Sequence, residues 1–129
     1  MHGVISAGLR AFSAAGVSSF KGLPYAAPPT GKLRWRPPQP ASSWSGVRDA
    51  TQFGAGCPQA LTSNPFLPPE TISEDCLNLN VYTPAPRSGG DRPVLVWIHG
   101  GGLVQDGGRN YDGTKLAAAG AVVVTINYR

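Results

Sequence analysis

Residues 94–98 read V-L-V-W-I, five apolar side chains in succession, and run straight into His99, Gly100, Gly101 and Gly102. A strand without polar alternation has no face to offer water. The run therefore predicts a strand buried on both faces, in a sheet covered by helices. Residues 121–128 (A-V-V-V-T-I-N-Y) carry the same signature with more β-branched side chains and predict a second buried strand. Between them, residues 114–119 predict a short helix that Gly120 terminates. Strand, helix and strand in that order imply an α/β layer architecture. Such a sheet needs helices on both faces, and this sequence offers almost none, so the sheet it implies is incomplete.

The earlier half is built differently. Residues 76–83 (C-L-N-L-N-V-Y-T) alternate with period 2. That predicts a half-buried strand in which Leu77, Leu79 and Val81 alternate with Asn78, Asn80 and Tyr82. Residues 3–6 and 17–20 are short, partly β-branched and predict small strands. Residues 23–40 are dense in proline, which fixes φ and lacks an N–H, and so predict extended coil. Tyr25, Leu33, Trp35 and Trp44 lie in or beside that stretch and favour a packed loop over a free linker. Residues 64–69 predict a second proline-rich loop, and residues 84–93 a turn with Gly89, Gly90 and Asp91 at its tip. The 17 Gly and 13 Pro among 129 residues fit a loop-rich chain and exclude a helical bundle.

Several function classes are set aside by composition. The net charge of +4 comes with only one basic cluster, Lys32, Arg34 and Arg36, interleaved with Leu33 and Trp35. This reads as a mildly basic surface, so no nucleic-acid partner is expected. No apolar run reaches the ~18 residues of a membrane span. Arg10 interrupts the apolar stretch of the first twenty residues, leaving no clear signal peptide and an expectation leaning to the cytoplasm. Cys57 and Cys76 bracket 18 residues, form no C-x-x-C pair and have no neighbouring histidine, so no zinc site is expected. From the residues alone they are either a disulfide closing a surface loop or two free thiols.

The chemistry sits in the glycine run. Without β-carbons, Gly100, Gly101 and Gly102 allow a sharp turn and a close approach to a ligand. Successive N–H groups can then converge on one oxygen that becomes negative, as acyl transfer requires. His99 suits a supporting role, orienting the loop through hydrogen bonds. A dinucleotide fingerprint would need glycine where Gln105 stands, and Gly107-Gly108-Arg109 does not complete a P-loop. Neither a cofactor nor a metal is called for. The attacking group is missing. No serine has glycine two residues to each side, and the only histidines are His2 and His99.

Four stretches together resemble the type-B carboxylesterase/cholinesterase family. The first is Phe20-Lys21-Gly22-Leu23-Pro24-Tyr25-Ala26 with Pro28-Pro29, Gly31, Leu33-Arg34-Trp35 and Pro37-Pro38. The second is Ser73-Glu74-Asp75-Cys76-Leu77 with Leu79-Asn80-Val81-Tyr82-Thr83-Pro84. The third spans residues 94–102, and the fourth is Tyr111-Asp112-Gly113, Leu116-Ala117 and residues 122–129. Asn78 departs from the aromatic or threonine common at its position in that family, and Leu103 from the aromatic that often follows the glycines.

The resemblance implies an incomplete α/β-hydrolase fold: an N-terminal small β-sheet, proline-rich loops and the first strands of the central sheet. Residues 1–129 would be the N-terminal part of a carboxylesterase type-B domain, ending before the nucleophile elbow. It implies a serine-type carboxylic ester hydrolase acting on a small-molecule ester once the missing C-terminal part completes it. Gly101 and Gly102 would be oxyanion-hole donors, with Gly100 and His99 supporting the loop. Cys57 and Cys76 would pair as a disulfide, and Arg34 with Glu74 as a structural salt bridge. Trp97 and Leu103 would line or back the acyl pocket, with core packing the leading role for Trp97. The chain alone is expected to be inactive. The alternatives are a non-catalytic cholinesterase-like binding module and one half of a split hydrolase.

Overall fold

A computed structural model describes residues 8–59, 71–84 and 91–129. The expected strand at residues 3–6, the proline-rich loop at 64–69 and the turn tip at Gly89 and Gly90 lie outside the described residues. A small parallel sheet pairs β1 (Gly8–Arg10) with β4 (Val47–Asp49). The main sheet contains β2 (Phe12–Ala14), β3 (Val17–Pro24), β5 (Asn78–Pro84), β6 (Val94–Ile98) and β7 (Val122–Ile126). Its spatial order is β2-β3-β5-β7-β6. Only β6 and β7 run parallel; the other neighbours are antiparallel.

The β2–β3 hairpin closes through Ala15 and Gly16, both at positive φ (49° and 77°), matching the twist of the strands it joins. The pairing of β3 with β5 shifts register between Phe20 and Leu23. This bulge takes the Gly22 N–H out of the ladder, and the Asn80 side-chain oxygen accepts it at 3.1 Å. The other end of Asn80 donates to Thr125 Oγ1 at 3.0 Å. Both side chains are buried and both are satisfied, as a polar group inside a sheet must be.

The parallel pairing of β6 and β7 requires a crossover, and helix α1 (Thr114–Ala118) lies within it. Asp112 accepts the Thr114 N–H at 2.9 Å at the start of α1, and Gly120 leaves the helix at φ 111°. The helix packs on β3, β5 and β7. The core there is Val17, Tyr82, Ala117 and Val123, and full burial stabilises each large side chain by roughly 1.5–3 kcal/mol. A β-carbon on Gly113 would lie 2.7 Å from Tyr82 Cδ2 and 2.9 Å from Val123, so glycine is what lets the helix approach the sheet. A second cluster joins Ala26, Cys76 and Leu77, with Cys57 against it.

Three expectations are altered on tertiary grounds. First, β6 is exposed along its whole length. It is the edge strand, and α1 covers the three strands beside it, so neither of its faces is buried among the described residues. Trp97, expected in the core, is 44% exposed, with the Tyr111 ring 5.2 Å away between centroids. Second, β5 is the half-buried strand expected, but the face it buries is the one that carries the polar side chains. Asn80 and Tyr82 are buried, whereas Leu79 and Val81 are half-buried. The helix-covered side of the sheet received Tyr82, and the Asn80 bonds made its burial tolerable. Third, residues 23–40 are not wholly coil. β3 runs to Pro24, and Gly31–Leu33 form a 3-10 turn. Within that stretch Trp35 is 88% exposed rather than packed. The expected strand over 121–128 is found as β7, with Val123 and Thr125 buried.

Candidate functional site

Ile98 ends β6, and residues 99–102 turn away from the carboxyl end of this parallel strand. Openings at the carboxyl ends of parallel strands are where open α/β sheets take ligands. His99 is buried here. Its Nδ1 lies 2.9 Å from the Gly100 carbonyl oxygen, and its ring stacks on Tyr128 at 4.4 Å between centroids. The Tyr128 hydroxyl donates to the His99 carbonyl at 2.8 Å. His99 is thus engaged with the loop it begins, and β7 delivers the aromatic ring that supports it.

The glycines that follow form a reversal. Gly102 and Leu103 both take φ 64°, and the Val104 N–H closes on the Gly101 carbonyl at 3.2 Å. Positive φ at both central residues is the requirement of a type I′ turn. Gly101 itself has φ 98°, and a β-carbon there would fall 2.0 Å from the Gln105 carbonyl oxygen. No other residue type fits. Among the described residues, the N–H groups of Gly101 and Gly102 have no protein acceptor. Neighbouring N–H donors on a turned backbone can form an anion-binding concavity.

Asp106 closes the loop, at φ 91°. One of its carboxylate oxygens accepts the Gly107 N–H and Asn110 Nδ2, each at 2.7 Å, and the other accepts the Tyr111 hydroxyl at 2.7 Å. Burial pushes this carboxyl up. The bonds from Asn110, Tyr111 and Gly107, with the charge of nearby His99, outweigh that and hold it below the usual carboxylate value. Tyr111 is correspondingly raised, first by its bond to Asp106.

Cys57 and Cys76 are joined in a disulfide, S–S 2.07 Å. Arg34 and Glu74 form a two-pronged ion pair, Nε and Nη2 each 2.6 Å from a carboxylate oxygen. The pair is partly exposed. It raises Arg34 and lowers Glu74 through their hydrogen bond. A cavity of about 500 Å³ opens beside these groups, between Trp35, the disulfide, His99, Leu103, Val104 and Tyr128. His99 and Leu103, which flank the three glycines, line it, and the glycines themselves do not. Among the described residues no group of three or more His, Cys, Asp or Glu could hold a metal ion.

The structure therefore brings His99, Gly100, Gly101 and Gly102 into one turn, and sets Arg34, Glu74, Cys57 and Cys76 around the adjoining cavity. Sequence reasoning passed over Gln59, Asp106, Tyr128 and Asn127, which carry the loop's hydrogen bonds. Gln59 and Asp106 stand in no periodic pattern, Asn127 and Tyr128 close a predicted strand that says nothing of their bonds, and the partners of these residues lie up to 102 residues away. Asp106 within the glycine-rich 100–108 segment was the one local signal.

A mixed sheet whose parallel strand feeds a glycine turn at its carboxyl end is the start of an α/β-hydrolase. Residues 6–129 match the Carboxylesterase family, and the chain belongs to it. It is 53% identical to a cocaine esterase of Oryctolagus cuniculus over 125 residues, covering 89% of this chain and 24% of that protein. It is 50% identical to a Homo sapiens cocaine esterase over 126 residues, 22% of that protein's length. Among solved structures, a PNB esterase superposes with a TM-score of 0.87 at 43% identity, over 94% of this chain and 26% of the esterase. A Geobacillus stearothermophilus carboxylesterase gives 0.82 at 46% identity. The chain thus spans about a quarter of the length of the relatives it matches.

Proposed function

We propose that this chain supplies the oxyanion-hole loop of a serine-type carboxylic ester hydrolase. The observation that carries the reading is the pair of N–H groups on Gly101 and Gly102, left without acceptors among the described residues, at a loop where position 101 admits only glycine. In the proposed reaction a serine hydroxyl, delivered by a segment other than these 129 residues, attacks the ester carbonyl carbon. The carbonyl π electrons move onto oxygen, and the two N–H groups stabilise that oxyanion. Collapse expels the alcohol and leaves an acyl-serine. Water then attacks, releasing the acid and restoring the serine. His99 has no part in proton transfer in this scheme; it braces the turn. Arg34 with Glu74 and the Cys57–Cys76 disulfide fix the surrounding loops.

The chain alone is expected to be inactive. Purified, it should show no phosphonate-sensitive turnover of p-nitrophenyl acetate; such turnover would reveal a nucleophile within it. The positive test is a transplant. Residues 6–129 replace the matching quarter of the PNB esterase, and the hybrid is assayed on p-nitrophenyl esters. An active hybrid whose kcat falls roughly 100-fold on Gly101→Ala supports the oxyanion role. An active hybrid indifferent to that change overturns it. A second reading, one half of a split hydrolase, draws on the open edge of β6. A non-catalytic binding module is disfavoured, because a binding surface does not require the glycine triplet.

A further inference from the structure

We propose that Gln59 and Asp106 act together as positioning residues, a clamp that fixes the glycine loop in the geometry presenting the Gly101 and Gly102 N–H groups. The inference rests on the oxyanion reading above and extends it to residues far from the turn.

Asp106 holds a left-handed φ of 91° without being glycine. Such a conformation persists only where the surroundings over-determine it, and here five hydrogen bonds do so. Three reach the carboxylate, from Gly107, Asn110 and Tyr111. The other two come from the Gln59 carboxamide, which grips the Asp106 backbone from both directions. Gln59 Nε2 donates to the Asp106 carbonyl at 3.0 Å, and the Asp106 N–H donates to Gln59 Oε1 at 2.7 Å. One side chain thereby replaces a strand neighbour.

The clamped peptide is the one that Gly101 packs against. The space a β-carbon on Gly101 would take is filled by the Gln105 carbonyl oxygen at 2.0 Å and by Asp106 Cβ at 3.0 Å. Moving the Gln105–Asp106 peptide therefore moves the floor beneath Gly101. Gln59 in turn is anchored. Two residues before it, Cys57 is bonded to Cys76. Asn127, just past the end of β7, donates to the carbonyls of both Ala55 and Cys76 at 3.1 Å. A continuous path of bonds thus runs from β7, through the disulfide-closed segment, to the loop that follows β6. The plainer reading is a loop bracket with no influence on Gly101; the back-to-back packing of Gly101 on Asp106 is what argues against it.

The test uses the 129-residue chain, with amide hydrogen exchange read residue by residue. Gln59→Ala should speed exchange of the Asp106 and Val104 amides by about tenfold or more, while the Val123 and Val124 amides of β7 keep their rates. Asp106→Asn should bring the Tyr111 phenol back towards the ordinary tyrosine value, seen in its NMR titration, and should also quicken the Val104 amide. Loop rates within about twofold of the parent in Gln59→Ala would overturn the clamp. So would β7 amides that quicken as much as the loop, since Gln59 would then be a general structural residue. An unmoved Tyr111 titration in Asp106→Asn would remove the carboxylate from the account. None of these readouts depends on ester turnover. A failed clamp therefore leaves the oxyanion reading standing, and an indifferent hybrid esterase leaves the clamp.

Discussion

Gly101 shows how much a single residue decides. Its φ of 98° and the carbonyl oxygen 2.0 Å from its would-be β-carbon exclude any side chain. Gly101→Ala should therefore destabilise the chain by about 1–3 kcal/mol, the usual cost of such strain, measurable as a lower urea midpoint. An unchanged midpoint would mean that the turn has a second, equally good conformation. Acid sensitivity also belongs to individual residues. Asp106 and Asp112 both sit below their ordinary value of 3.8, Asp112 chiefly through its bonds to Thr114. A lowered folded pKa means that the unfolded chain binds protons first as pH falls. Their stabilisation is complete above the unfolded value and is lost on acidification through the folded one. The urea midpoint should fall from about pH 5 downward, and less steeply in Asp106→Asn and Asp112→Asn. A decline equally steep in both variants would assign it to other carboxylates.

Among the elements, β6 is the one whose environment least matches its composition. V-L-V-W-I is open on both faces and on one edge, with no charge, proline or bulge within it to discourage pairing. In the folded chain β7 is paired on both sides, with β5 and β6. Concentration-dependent association is therefore expected through β6. Val96→Lys, which places a charge in the middle of that strand, should reduce it, as seen by light scattering. A parent chain that stays monodisperse at high concentration would show that the edge is already protected. β5 teaches a different lesson. Period 2 in residues 76–83 established that a strand was there and that it had two unlike faces. It could not say which face the helix would take, because that depends on α1, Gly113 and the Asn80–Thr125 bond, all remote in sequence.

For the whole molecule, the disulfide and Asn127 tie the N-terminal loops to the central sheet. Closing the segment between Cys57 and Cys76 should contribute about 3 kcal/mol. A paired Cys57→Ser, Cys76→Ser variant should lose a comparable amount in urea unfolding, and amides of the Cys57–Gln59 segment should exchange faster. A loss near zero would mean that Asn127 and Gln59 hold that segment without the covalent link. What the sequence determined on its own was everything local or periodic. It specified the two apolar strands, the helix with its Gly120 stop, the glycine turn and the absence of a G-x-S-x-G serine. Those follow from backbone sterics and from the spacing of apolar side chains over a few residues. Only the tertiary structure decided that β6 is the edge, that Tyr82 faces inward, and that Gln59 reaches Asp106. Each of these depends on which distant segments meet, and the free energy of such a meeting is written in neither partner's local sequence.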